Sequence, residues 1–290
     1  MSIPDTWEVA AIIAKLMLYI GFAGSTGLVM VRIAFSTLVA PLGDRMRMQS
    51  VYLAALALGA SVVGFMLRGA ALTGGADGMI DPEMLGLLWT TPVGDALICR
   101  IIGAAMIIWG EFISRVGKWV ALVGGIVAFW SFTNIGHVPD LGQSGIRLLL
   151  LLHLLGVAFW VGILGPLRNL SQQSEHLDNA ALLGHRFGQV AAAIVPVLIL
   201  AGILMAWLLL GDLETLGSTV YGQTLLAKVV LVGVVLALAA INKLRIVPAM
   251  QDGDATVAKR LVRSIEIETA VILAVLAATA TLTSVMTLPN

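Results

Sequence analysis

Charge is scarce in this sequence. Only 12% of its 290 residues are Asp, Glu, Lys or Arg, and 59% are hydrophobic, whereas a soluble domain carries about a quarter charged residues. With a mean hydropathy of +0.99, that shortage excludes an ordinary soluble domain. The apolar runs lack the alternating period of an outer-membrane barrel, so the spanning elements are expected to be helices. One cysteine, Cys99, excludes an intrachain disulfide and a cysteine-built zinc or iron-sulfur centre. The first residues, MSIPDTWEV, have no basic region and no small-residue cleavage site, so the first apolar run is expected to stay as a helix. The glycine runs GADG and GGI have no strand before or helix after them to make a phosphate loop. No nucleophile can be set beside a base and an orienting acid by spacing. The chain reads as a non-enzyme, with no nucleic acid among its expected partners.

What is present is a series of apolar runs of roughly bilayer length. The expected fold is an all-α integral membrane protein, a bundle of about eight transmembrane helices at 7–40, 49–67, 94–114, 118–135, 146–167, 187–210, 221–246 and 261–286. They form a single polytopic domain over 1–290, with four N-terminal helices in 7–135 and four C-terminal helices in 136–290. The one long connection carries DPEMLGLLW, read as a short interfacial helix. Arg45, Arg47, Arg115, Lys118, Arg168, Arg186, Lys243, Arg245, Lys259, Arg260 and Arg263 fall in alternate connections. The positive-inside bias makes that side cytoplasmic and places both termini outside.

Few polar residues interrupt the spans. His153 lies roughly 10 Å inside the outer end of the fifth, and Trp160 is about two turns further along the same face. An intramembrane histidine needs a partner, such as protein, water, metal or cofactor. Lys228, Lys15 and Arg100 fall at nearly the same depth, forming with His153 an outer layer. They either reach the headgroups or face something anionic, and Asp95, Asp140 and Glu83 are prospective partners of Lys228 and Arg100. Arg32 is expected to reach the cytoplasmic headgroups. Asn242, closing the seventh span, and Glu268, opening the eighth, form an inner layer suited to a proton or ion relay or to a helix-to-helix hydrogen bond.

Three stretches, LLHLLGVAFWVGILGPL at 151–167, YGQTLLAKVVLVGVVLALAAINKLRIVP at 221–248 and LVRSIEIETAVILAVLAATATLTS at 261–284, resemble the copper resistance protein D (CopD) family. The preceding GHVPD resembles the family's Gly-His turn. The likeness covers about the C-terminal half, and the first four spans show no signature beyond hydrophobicity and helix count. The resemblance implies a protein of the bacterial cytoplasmic (inner) membrane that imports copper from the periplasm, often beside a periplasmic CopC-like copper carrier. His137, His153, Trp160, Lys228, Asn242 and Glu268 sit at positions that fit the family pattern. The outer connections hold no Met-rich or His-rich segment for copper capture.

Copper(I) favours thioether and imidazole donors, and copper(II) nitrogen and oxygen. The outer half offers His137, His153, Met66, Met79, Met84, Met286 and Cys99. The sharpest candidate site pairs His137 with His153 and one methionine. Two alternatives stand beside copper transport. Two outer histidines can ligate a haem b iron, with Arg and Lys on its propionates, giving a membrane electron-transfer protein. A non-transporting scaffold or assembly factor would use the same polar residues for helix packing alone.

Overall fold

A computed structural model describes residues 5–113, 116–135, 144–210, 214–252 and 255–284. In chain order the helices are α1 (Thr6–Ala34), α2 (Gly43–Thr73), α3 (Pro82–Trp89), α4 (Pro92–Gly110), α5 (Gly117–Trp130), α6 (Ser144–Ser171), α7 (Leu177–Leu210), α8 (Glu214–Ser218), α9 (Val220–Ile241), α10 (Val247–Gln251) and α11 (Ala258–Ser284). Short 3-10 turns lie between them, and a π-helical turn, Asn242–Ile246, joins α9 to α10. Seven helical segments are long and apolar enough to cross a membrane, which fits a multi-pass membrane protein. The expected fourth span is shorter, an apolar helical segment over Gly117–Thr133. At 1.5 Å per residue it reaches about 25 Å, the short end of the spanning range.

Several helices run past the expected ends. Residues 43–48, read as part of a turn, open α2, and 177–186, read as connection, open α7. Hydropathy marks only the part of a helix in hydrocarbon, while backbone hydrogen bonding continues into the polar region. DPEMLGLLW does form a helix, α3, with Asp81 accepting from the N–H groups of Glu83 and Met84 and Pro82 in the first turn.

α1 is the central element. It begins with a reciprocal cap, the Asp5 carboxylate accepting from the Glu8 N–H at 2.7 Å and Glu8 from the Asp5 N–H at 2.9 Å. It packs on α2, α5, α6 and α11, and its middle turns are buried from Gly21 to Val29. Gly27 meets Gly162 of α6 so closely that a Cβ on Gly27 would lie 2.8 Å from the Gly162 Cα. Only glycine permits this approach, and such close backbone contact is how helices gain packing energy in lipid, where apolar burial supplies none.

Two cores share α1 and α6. One gathers Leu18, Phe22, Ala54, Ile107, Phe129 and Leu151, joining α1, α2, α4 and α5 to the start of α6. The other gathers Leu28, Phe159, Trp160, Ile163, Leu183, Leu261 and Ile265, joining α1 and α6 to α7 and α11. Lys15 donates to the Thr283 carbonyl, and Tyr19 shares a 3.0 Å hydrogen bond with the Thr283 hydroxyl. The start of α1 and the end of α11 therefore lie at the same end of the bundle.

Candidate functional site

His153 and Trp160 are seven residues apart on α6, hence on one face and about 10 Å apart along the axis. α7 lies along that face, with Leu198 and Gly202 at His153 and Phe187 at Trp160. The Leu198 backbone lies beside the His153 ring, and Gly202 is next to its Cε1. Its Nδ1 is buried and has no partner among the described residues. Lys228 of α9 lies close enough for its charge to act on the ring. A buried polar atom left unsatisfied in this way calls for an explanation.

Two turns along, α6, α7, α9, α11 and the π turn line a half-open cavity of about 270 Å³ that includes Trp160, Phe187, Pro196, Asn242, Lys243 and Glu268. Glu268 of α11 is 3% exposed. Its Oε1 accepts from the Trp160 indole N–H at 2.6 Å and its Oε2 from the Asn242 amide at 3.3 Å. Asn242 is 9% exposed, and its Oδ1 has no partner among the described residues. It is the first residue of the π turn, which precedes Pro248. Proline lacks an N–H and clashes with the carbonyl four residues back, so a widened turn before it is physically expected. Pro196 likewise cannot close on the Ala192 carbonyl, and both residues line the cavity. The Lys243 stem packs over Gly188.

The other cations are placed differently. Arg100 donates from Nε to the Ser131 hydroxyl at 3.0 Å and stacks its guanidinium 5.0 Å from the Phe132 ring centre. Lys15, Arg68 and Arg100 lie within Coulombic reach of one another. Among the described residues no carboxylate ion-pairs with Arg100 or Lys228, so Asp95 and Glu83 are not their partners. Asp140 lies outside the described residues. Arg32, expected to reach the headgroups, instead pairs with Glu111 at the C-terminal cap of α4, whose side chain is 1% exposed. Glu266 binds Arg168 at 2.6 Å.

Of the proposed copper ligands, the structure describes His153, Met79 and Met84, and these three lie on different elements. His137 and Met286 lie outside the described residues. Met79 sits in the turn packed on α2, and Met84 on α3, which packs on α2 and α4, whereas the neighbours of His153 are on α7 and α9. Among the described residues no three His, Cys, Asp or Glu side chains gather around a metal position. His185 shares a hydrogen bond with Gln189 at 3.2 Å, and the His176 ring lies 3.7 Å from the Glu175 carboxylate. His185 is 13 residues from Leu198 on α7, about 20 Å away along the axis, so it is no second imidazole for His153. Trp160, Asn242 and Glu268 do come together. Trp160 is a hydrogen-bond donor to Glu268, and Lys243 joins the cavity although its place in the sequence put it only on the cytoplasmic side.

Residues 181–282 match the family model described as copper resistance protein D, and residues 5–146 match the one described as the copper resistance protein D-like, N-terminal domain. The first four spans therefore carry a signature that inspection of their residues does not reveal. Lys228, Asn242 and Glu268 fall in the first match and Arg100 in the second, while His153 and Trp160 lie between the two. No curated protein and no solved structure matches the chain.

Proposed function

The chain belongs to the copper resistance protein D family, and we propose that it carries copper across the bacterial cytoplasmic membrane, from periplasm to cytoplasm. Both termini and His153 are assigned to the periplasmic side by the distribution of Lys and Arg between connections. The observation that carries this reading is the buried, unpartnered His153 Nδ1 two helical turns from a cavity of about 270 Å³ between the same helices. Imidazole is a donor for either copper oxidation state. Copper entering at His153, with His137 and a methionine such as Met286 completing its shell, would pass Trp160 into the cavity.

The shortage of Met-rich or His-rich outer segments supports delivery by a separate periplasmic carrier of the CopC kind. Lys228 beside His153 opposes the passage of a bare cation, because charges are weakly screened in a low-dielectric interior. Copper handed over with an anionic ligand, or with Lys228 turned away, meets less resistance. Metal and haem analysis of the purified protein tests the reading. Copper retained by wild type and lost in His153→Ala is expected; stoichiometric haem, or copper held equally by both proteins, would overturn it.

A further inference from the structure

Glu268 is 3% exposed, and no cation pairs with it among the described residues. Its two oxygens are held by neutral donors, the Trp160 N–H and the Asn242 amide. A buried carboxylate without a counter-ion calls for a proton or a cation. The adjoining cavity of about 270 Å³ has room for several waters to bring one. Its polar atoms are hard oxygen and nitrogen groups with no thioether or imidazole, a set that can hold a proton and would not retain copper(I) passing through.

Asn242 supplies the second observation. Its Nδ2 donates to Glu268 Oε2 at 3.3 Å, while its Oδ1, on a residue 9% exposed that lines the cavity, is unpartnered. Turning the amide over brings Oδ1 to Glu268, where it can accept from a protonated carboxyl. One side chain therefore bonds both forms, donating to the carboxylate and accepting from the acid. We infer that Glu268 is a proton-exchange site opening on the cavity, with the Asn242 amide turning over as the proton comes and goes. On uptake an O–H bond forms at Oε2 as a hydronium ion in the cavity gives up its proton and becomes water; release is the reverse, and no electron moves.

Of the charged groups on neighbouring elements, Lys243 on the π turn borders the same cavity. On α6, Arg168 is held by Glu266, and on α1, Arg32 is held by Glu111 and Lys15 by Thr283. Lys228 of α9 lies close enough to His153 for its charge to act on that ring. That the proton is exchanged during copper passage rests on the proposed transport; the site itself does not.

Infrared difference spectroscopy of the full-length protein in lipid nanodiscs, recorded through a pH change without copper, tests the site. Wild type should give a protonated-carboxyl C=O band that grows as pH falls, is absent in Glu268→Gln, and shifts in Asn242→Leu as the acid loses its acceptor. If Glu268→Gln does not fold, Glu268→Asp should move the band instead. A carboxyl spectrum unchanged by the Glu268 substitution, or a band indifferent to Asn242→Leu, would overturn the inference. Because copper is absent, failure of the transport reading leaves this result standing, and the reverse also holds.

Discussion

Arg32 and Glu111 form an ion pair whose acid is withdrawn from solvent at 1% exposure. Removing one partner of a buried pair strands the other charge, at a cost of about 3 to 5 kcal/mol. Arg32→Met is expected to lower stability by about that amount, and adding Glu111→Leu should restore most of it, as read by thermal unfolding in detergent. Trp160→Phe keeps an aromatic ring against Phe187, where the centroids are 6.1 Å apart, but withdraws the N–H from Glu268. Loss of that buried hydrogen bond should cost about 1 to 3 kcal/mol in unfolding by denaturing detergent. The proximity of Glu268 and Asn242 was legible in the sequence, because a short connection puts the end of one span and the start of the next at one depth. The partnerships of Trp160 and Arg32 were not. Depth follows from counting residues, but which neighbour a side chain meets depends on how each helix is rotated about its axis, which only packing fixes.

Between elements, the tightest constraint is the crossing of α1 and α6 at Gly27 and Gly162. Gly162→Leu would force the two backbones apart and should cost at least about 1 to 3 kcal/mol, seen as loss of monodisperse protein in size-exclusion chromatography. The π turn makes a different demand. Pro248→Ala returns the missing N–H, allows a regular helix through residues 242–251, and turns α10 relative to α9. Val247 of that segment packs at Gly184 of α7, so the substitution is expected to lower stability and to weaken the Asn242–Glu268 contact, readable as a shift of the Glu268 infrared band. The helical type of the spans and seven of the eight expected were readable from apolar runs, since in lipid each must satisfy its own backbone. Their ends were not, as the extensions of α2 and α7 show, and neither was the π turn, although Pro248 marked its place.

The whole molecule is an α-helical multi-pass membrane protein whose two family matches, 5–146 and 181–282, are bridged by α6. α6 carries both His153 and Trp160, and it packs on α1 as well as on α7 and α11, so it ties the proposed entry to the cavity and to the N-terminal core. The C-terminal family likeness could be read from the residues themselves, whereas that of the N-terminal helices could not, because lipid-facing positions tolerate almost any apolar residue and leave no spaced motif. The central claim is that copper crosses by way of His153. It is tested most directly by copper influx into proteoliposomes enclosing a copper-sensitive dye, comparing wild type with His153→Ala reconstituted in equal, folded amounts. Influx is expected with wild type and loss of most of it with His153→Ala; equal influx with both, or none above empty liposomes with wild type, would rule out this route.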